Sequence, residues 1–361
     1  VQTHGMINVP ISSLLAARFA FGTHRNTGYY KTLGTSSDRY GSNEDYSGRL
    51  SLLFTPSSSL KWLVVIDKFV GRGNPALGIS TPYAGNPYRQ TVLDTVEPDN
   101  YTSNFGIRTR LDWTPATGLT MSYIGGYQKL RYDNRQSSNA PDPIPDGTFS
   151  SYSGISTATN KNQSHEINIT YDSGPIVNIL GATYSREENH NLANFSFYTY
   201  GIDTDFVVPN TTQKSIGFFD QLTYRVTDAL RLTAGIRWSR DRKSTLGAGQ
   251  IYCPLNAGFT GQYSFNPACY TATAVLYGRT GSWSKLSWKG GIDYNLDRAT
   301  LLYASISTGY KAGGLNESND PANLRFDPET VTNYEVGVKT KLFDDHLSYN
   351  GAIFYMDYRN L

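Results

Sequence analysis

Residues 230–239 read Leu-Arg-Leu-Thr-Ala-Gly-Ile-Arg-Trp-Ser, and this stretch alternates between apolar and polar side chains. Leu232, Ile236 and Trp238 fall on one face of an extended chain, and Arg231 and Arg237 fall on the other. A period of two is typical of a β-strand with one apolar face, whereas an amphipathic helix repeats at three and four residues. The stretch therefore predicts a strand.

The same alternation recurs along the whole chain. It predicts about thirteen strands of roughly ten residues, the length that crosses a bilayer at a tilt. No run of about 18 apolar residues is present, so a transmembrane helix is excluded. The expected strands lie at residues 14–24, 46–54, 60–72, 103–113, 119–132, 164–171, 177–189, 214–226, 230–242, 283–295, 301–311, 333–342 and 347–358.

The connections between these strands alternate in length. Short turns rich in Pro, Gly, Asp and Ser lie at 55–59, 114–118, 172–175, 227–229, 297–298 and 344–345. Long polar loops lie between them, at 25–45, 73–102, 133–163, 190–213, 243–282 and 312–332. Strict alternation places all tight turns at one end of the strands and all large loops at the other. This favours an all-β fold, a transmembrane antiparallel β-barrel with short periplasmic turns and long extracellular loops.

A soluble sheet with one face on a core is the alternative explanation of the alternation. Thirteen consecutive hairpins would leave that single sheet with a very large apolar face. Closing the sheet removes its unpaired edges, and lipid accepts the apolar outside. We therefore favour the barrel, and we expect that thirteen strands alone would leave two open edges.

Composition agrees with strands and excludes nucleic acid as a partner. The chain of 361 residues holds 27 Tyr and 34 Gly but 3 Met. A mean hydropathy of −0.43 is compatible with a barrel, because only every second residue faces lipid. The formal net charge is +2, without a run of Lys and Arg. The first residues do not resemble a signal peptide, and we expect a truncated piece with its start and end missing.

Aromatic and cysteine positions fit an exported barrel. The five tryptophans fall within predicted strands, several near strand ends, as expected of residues at a membrane interface. They are Trp62, Trp113, Trp238, Trp283 and Trp288. Cys253 and Cys269 share one long loop, where they are expected to form a disulfide, and two free loop cysteines are the alternative. One such pair without a neighbouring His pair does not make a zinc site, so no metal is expected.

Several segments resemble the barrel of TonB-dependent outer-membrane receptors in order and spacing. They are Tyr303-Ala304-Ser305, Gly309-Tyr310-Lys311-Ala312-Gly313-Gly314-Leu315-Asn316, Phe326-Asp327-Pro328-Glu329, Asn333-Tyr334-Glu335-Val336-Gly337-Val338-Lys339 and Phe354-Tyr355-Met356-Asp357-Tyr358. Residues 219–224 followed by residues 233–238 are similar to a strand–turn–strand of the family, and residues 5–10 with 17–18 resemble its second barrel strand. The resemblance spans essentially the whole chain.

These motifs also have a physical interpretation. Gly309, Gly313 and Gly314 suit a strand that leaves the sheet, where a positive φ is needed. Asn333, Glu335 and Lys339 fall on the polar, lumen-facing side. For Glu335 and Lys339 we favour a salt bridge in the barrel wall over a contact with substrate.

The resemblance implies a barrel of about 22 strands and an N-terminal plug domain that carries the TonB box. By that standard residues 1–361 form a partial barrel: one strand lies upstream, thirteen are present, about eight follow, and the plug is absent. The implied function is import of a scarce, large solute across the bacterial outer membrane, with energy from the TonB complex acting through the plug. Ferric siderophores are the commonest substrate class, and vitamin B12, haem, oligosaccharides and plant metabolites are alternatives. The implied partners are outer-membrane lipid, the TonB complex and the solute; no resident cofactor is implied, although the ligand can carry iron.

Candidate ligand contacts are Tyr and Arg side chains, which stack on rings and bind anionic groups, together with one lysine. They are Tyr83, Tyr88, Arg89, Tyr198, Tyr200, Lys311 and Arg325. A passive channel of the porin type remains the alternative function. No catalytic role is expected, because the five histidines are scattered without a nucleophile elbow or an HExxH pattern.

Overall fold

A computed structural model describes residues 1–28, 31–32, 41–74, 89–90, 99–139, 151–197, 202–254, 276–316, 324–344 and 346–360. The described chain is built from strands. They are β1 (Gln2–Pro10), β2 (Leu15–Thr27), β3 (Lys31–Thr32), β4 (Ser42–Ser57), β5 (Leu60–Gly73), β6 (Arg89–Gln90), β7 (Asp99–Ala116), β8 (Leu119–Asn139), β9 (Ser151–Asp172), β10 (Ile176–Phe197), β11 (Ile202–Arg225), β12 (Leu230–Pro254), β13 (Leu276–Asn295), β14 (Thr300–Lys311), β15 (Gly314–Leu315), β16 (Arg325–Phe326), β17 (Glu329–Leu342) and β18 (Leu347–Arg359). None of the described residues lies in a helix long and apolar enough to cross a membrane.

Fourteen of the strands form one antiparallel sheet in which every strand pairs with its neighbours in sequence, in the order β1-β2-β4-β5-β7-β8-β9-β10-β11-β12-β13-β14-β17-β18. The prediction of an antiparallel transmembrane barrel wall is confirmed. In the described residues β1 and β18 do not pair with each other, so the sheet has two edges and the barrel is not closed. Two small pairs lie outside the sheet: β3 with β6, and β15 with β16.

The sheet has one strand more than the thirteen predicted from the sequence. The additional strand is β1, which pairs with β2 through Asn8 opposite Arg18 and Val9 opposite Ala17. Residues 5–10 and 17–18 therefore belong to two strands, rather than to the one strand that the resemblance indicated. The alternation in β1 is obscured because Met6, on the lumen side, stands next to the outward Ile7.

Several strands run much further than predicted, into regions expected to be loops. The β10–β11 ladder continues as far as Phe197 opposite Ile202, with shifts of register on the way, and β12 reaches Pro254. Alternation ends where both faces of a hairpin meet water, but the backbone hydrogen bonds between the strands continue. The predicted difference between short and long connections is retained, since the tight turns still lie at one end of the sheet.

A recurring hydrogen-bond pattern closes three of the tight turns. The side-chain oxygens of Ser12, Thr227 and Asp297 each accept hydrogen bonds from the backbone N–H groups two and three residues later. For Asp297 these two N···O distances are both 2.7 Å. A short polar side chain at this position satisfies donors that the ladder cannot reach, which explains the Ser, Thr and Asp residues in the turns.

Replacing Asp297 by Ala should destabilise the folded protein by about 1 kcal/mol, because two turn N–H groups lose their acceptor. Asp297→Asn keeps an acceptor oxygen at the same place and is the matched control. Both variants can be compared with the parent protein in detergent by urea unfolding, followed by tryptophan fluorescence. Equal loss of stability in both variants would show that charge, rather than hydrogen bonding, matters at this turn.

Candidate functional site

The two faces of the sheet differ as a barrel wall requires. Outward residues form an apolar band that is bordered by aromatic rings. At the end with the tight turns these rings are Trp62, Trp113, Tyr171, Tyr224 and Tyr294, all of them exposed. Trp62 donates its indole N–H to Thr109 on the neighbouring strand at 2.8 Å. Rings of this kind fit the interface between hydrocarbon and water, so the outward positions of Trp62 and Trp113 agree with the predicted interface role.

Trp283 is the exception among the tryptophans that we expected at the interface. It lies opposite Asp241 on the inward face and is 5% exposed, whereas Trp288 points outward and is 45% exposed. The two are five residues apart in one strand, and an odd separation places side chains on opposite faces. The sequence therefore contained the signal that Trp283 faces the lumen.

A break in the ladder creates the surroundings of Trp283. β13 and β14 pair only from Lys289 opposite Ser307 to Asn295 opposite Leu301. Where pairing ends, the Thr308 hydroxyl accepts a hydrogen bond from Trp288 N at 2.8 Å, in place of a backbone partner. The chain after Lys311 then folds over the sheet, so that β15 contacts β12 and β13.

The glycines of this segment are required because neighbouring side chains lie too close to leave room for a Cβ atom. A Cβ on Gly313 would lie 2.6 Å from Nε1 of Trp283, and one on Gly314 would collide with the ring of Phe326. A Cβ on Gly309 would lie 2.6 Å from Cγ1 of Val331. None of the three has a positive φ, so the conformational reason that we expected is wrong. These positions need glycine because it has no side chain, rather than because it allows an unusual backbone angle, and at Gly313 this lets the segment pack against Trp283.

Cations surround the inward face of Trp283. The guanidinium of Arg325 lies 4.7 Å from the centre of the indole ring, and the ammonium of Lys243 lies 5.9 Å from it. Both distances allow a cation–π interaction. The indole Nε1 is buried and, among the described residues, has no hydrogen-bond partner. The cluster thus offers two positive charges and one unused donor at the loop end of the lumen.

Asp241 and Tyr310 border this cluster. Asp241 is buried, and its carboxylate accepts a hydrogen bond from the Tyr310 hydroxyl at 3.1 Å. We call Asp241, Lys243, Trp283, Tyr310 and Arg325 the lumenal cluster.

Only part of the predicted ligand set can be located. Arg325 belongs to the lumenal cluster, and Lys311 forms an ion pair with Glu329 at 3.0 Å. Tyr83, Tyr88, Tyr198 and Tyr200 lie outside the described residues, as does the side chain of Arg89, whose backbone forms part of β6. The predicted disulfide also lies outside them, since neither cysteine side chain is described. No group of three or more His, Cys, Asp or Glu residues is placed to bind a metal in the described part of the chain.

A second motif from the sequence analysis, the segment from Asn333 to Lys339, builds the wall beside the cluster. The Tyr303 hydroxyl donates a hydrogen bond to Glu335 at 2.7 Å, and Lys339 lies 5.6 Å from the centre of the Tyr303 ring. Neither Glu335 nor Lys339 forms an ion pair with another described residue, so the wall salt bridge that we expected is not seen in this part of the chain; both residues contact Tyr303 instead. Gly337 leaves the space for that ring, because a Cβ there would lie 2.5 Å from it.

The family of the chain follows from comparison with known proteins. The architecture is that of a transmembrane β-barrel wall with an inward-facing polar surface. A family model described as TonB dependent receptor-like, beta-barrel, matches residues 25–361, and the chain belongs to this family. Family members are transport receptors rather than enzymes.

Solved structures of other receptors share the fold. The ferric yersiniabactin uptake receptor of Yersinia pestis has a TM-score of 0.73 at 15% identity, with 100% of this chain and 52% of that chain covered. A siderophore receptor of Acinetobacter baumannii has a TM-score of 0.72 at 15% identity, with coverages of 98% and 54%. The ferric-catecholate import receptor of Escherichia coli K12 has a TM-score of 0.70 at 15% identity, with coverages of 99% and 56%. The chain therefore spans about half the length of these proteins.

Replacing Gly337 by Ala should destabilise the wall by about 1–3 kcal/mol, because the new methyl group overlaps the Tyr303 ring. In a Tyr303→Ala background the same replacement should have little effect, since the ring is gone. The four proteins can be compared by the temperature at which the folded form loses its faster gel migration. Additive effects of the two replacements would show that Gly337 is required for another reason.

Proposed function

We propose that the chain forms the barrel wall of an outer-membrane receptor that imports a ferric siderophore with energy from the TonB complex. Membership of the TonB-dependent receptor family supports transport as the activity. Siderophore and ferric-catecholate receptors are among the structures with the same fold, which supports iron chelates as the substrate class. In this proposal the plug domain and the TonB box lie outside residues 1–361.

The lumenal cluster is the observation that carries the proposed substrate class. Two cations over an indole ring suit a ligand that is both anionic and aromatic, because the ring stacks and the cations neutralise charge. A ferric tris-catecholate has both properties. Asp241 is the one acidic member of the lumenal cluster, and its carboxylate is engaged by Tyr310, so the net character of the cluster is cationic.

Binding in this cluster should depend on its charge. The double replacement Lys243→Gln and Arg325→Gln should weaken binding of ferric enterobactin, a ferric tris-catecholate, about ten-fold or more, because two charge-assisted contacts are lost. Affinity is measured by the quenching of tryptophan fluorescence in the purified receptor with its complete flanking sequence.

The matched control is Lys285→Gln with Lys289→Gln. It removes the same charge from the inward face of β13, outside the lumenal cluster. Binding that is unchanged by the first pair, or reduced equally by both pairs, would reject the lumenal cluster as the ligand site.

Energy coupling is tested separately by uptake of radiolabelled iron into cells. We expect uptake that depends on the receptor and stops when TonB is deleted, whereas binding to the cell surface persists. A passive channel, the alternative function, would instead admit the solute without TonB and conduct ions in a planar bilayer. Uptake that continues at full rate without TonB would therefore reject active transport.

A further inference from the structure

An acidic side chain lies within the apolar band of the outward face. Asp220 of β11 shares this face with Phe218 and Tyr224, because an even number of positions separates them along the strand. Its side chain is exposed, and its direct partners on the neighbouring strands are Leu180 and Ile236. Asp220 therefore faces hydrocarbon rather than the lumen.

The height of Asp220 places it near the middle of this band. It is four residues from Tyr224, one of the aromatic rings that border the band at the tight-turn end, and six residues from Lys214, towards the loop end. At about 3.3 Å per residue and a tilt of about 40°, these separations correspond to about 10 Å and about 15 Å along the membrane normal. Together they match the height of about 25 Å of the apolar band in such barrels. An ionisable side chain at this depth is costly and marks a functional contact.

Asn178 uses only part of the hydrogen-bonding capacity of Asp220. The Asn178 amide donates to Oδ1 of Asp220 at 2.6 Å and to the backbone oxygen of Gln221 at 3.3 Å. These two contacts use both N–H groups of the amide. Among the described residues, none donates a hydrogen bond to Oδ2 of Asp220 or forms an ion pair with it. Asp220 thus offers an unused acceptor to a partner within the membrane.

An unused donor lies two strands away on the same face. Trp288 of β13 is directly opposite Ile236, so that Asp220, Ile236 and Trp288 form one cross-strand row. The Trp288 ring is 45% exposed, and its indole N–H donates to none of the residues that the structure describes. On the tight-turn side of the row, Ala234 lies opposite Gly290. These two small residues leave a shallow recess beside the indole.

A two-fold axis along the membrane normal pairs the unused groups reciprocally. In an isologous contact, residue i meets residue j of the other copy, and j meets i. An axis beside Ile236 therefore brings Asp220 of each copy to Trp288 of the other. Trp288 is six residues above Tyr294 and Asp220 is four residues above Tyr224. The two side chains thus differ in height by about 5 Å, which the long indole side chain spans, and the carboxyl group enters the recess.

We propose that this surface binds a second copy of the chain, through reciprocal hydrogen bonds from Trp288 to Asp220. The unused acceptor and the unused donor belong to one surface, which favours a second copy over a different membrane protein as the occupant. Ile236 packs against its counterpart at the axis. The rings of Phe218 and Trp238, with centroids 6.1 Å apart, border the contact. The dimer is independent of the imported solute, because the lumenal cluster lies on the opposite face of the wall.

The position of the axis is tested by oxidative cross-linking in outer membranes, using the receptor with its complete flanking sequence. Ile236→Cys should form a disulfide-linked homodimer, because the residue meets its own counterpart. The matched control is Ile167→Cys on β9, which also points outward and has a similar exposure, 53% against 50%, but lies away from the axis. The parent protein, with its two native cysteines, gives the background.

Three outcomes of the cross-linking would contradict the proposal. Equal yields from Ile236→Cys and Ile167→Cys would show random collision in the membrane. No product from Ile236→Cys above the background would show that the axis is absent. A product whose mass differs from twice that of the receptor would show another membrane protein as the occupant.

The hydrogen bonds are tested by the dissociation constant of the dimer in lipid vesicles, measured by energy transfer between labelled receptors. Asp220→Leu removes the acceptor, and Trp288→Phe removes the donor but keeps an aromatic ring. Each replacement should weaken the dimer about ten-fold or more, because two symmetric hydrogen bonds are lost. Asp220→Asn keeps an acceptor oxygen and should retain most of the affinity. A dimer as strong in Asp220→Leu as in the parent protein would overturn the proposal.

The stability of the diluted monomer distinguishes a lost contact from a damaged fold. Asp220→Leu removes a polar group from hydrocarbon, so this variant should lose its faster gel migration at the same temperature as the parent protein or at a higher one. A purely structural role of Asp220 in the wall predicts a lower temperature together with an unchanged dimer. That combination would reject the dimer contact.

Discussion

Backbone hydrogen bonding in hydrocarbon is the constraint on which this wall depends. Lipid offers no partners for N–H and C=O groups, so a strand that crosses the membrane must be paired along its whole length. The order of the fourteen strands satisfies this demand in the simplest way, because each strand pairs with the strands adjacent in sequence. The tight turns follow from the same constraint, since side-chain oxygens such as that of Asp297 take the N–H groups that the ladder leaves unpaired.

The lumenal cluster lies where this ladder is interrupted. Pairing between β13 and β14 stops at Ser307, and the chain beyond Lys311 is then free to fold over the inward face. Gly313 lets this segment approach Trp283, Gly314 leaves room for the Phe326 ring, and β16 brings Arg325 to the indole ring. The irregular part of the strand thus builds the lumenal cluster, while the regular part anchors it in the wall.

Neighbouring residues of one strand face the lumen and the outside of the barrel wall at the same height. On β12, Lys243 points to the lumen and lies near Trp283, whereas Arg242 points outward beside Lys214. Alternation of side chains makes this separation unavoidable, because neighbouring residues of a strand always face opposite sides. A wall of this kind can therefore carry one cationic surface towards the lumen and another on its outward face, without either contacting the other.

The sequence by itself determined the all-β class, the antiparallel order and the end of the sheet at which the tight turns lie. A period of two and the lengths of the connections are local properties, and they are visible in single segments such as residues 230–239. The sequence also shows that Trp283 and Trp288 are five residues apart and so face opposite sides of their strand, although we expected both at the membrane interface. Beyond the apolar band the alternation fades, which is why the strand ends were misjudged, and β1 was missed because Met6 stands next to Ile7 and obscures its alternation.

Only the tertiary structure decided which side chains meet. The contact of Tyr303 with Glu335 joins residues 32 positions apart, and the contact of Arg325 with Trp283 depends on where one ladder ends. On the outward face, Arg186, Lys214 and Arg242 form a row across three strands, and this row depends on the registers of two hairpins. A shift of one residue in either register would turn a cation of this row to the other face. Periodicity fixes the face of each residue relative to its own strand, whereas register, which places it beside its neighbours, is settled by the pairing of the whole sheet.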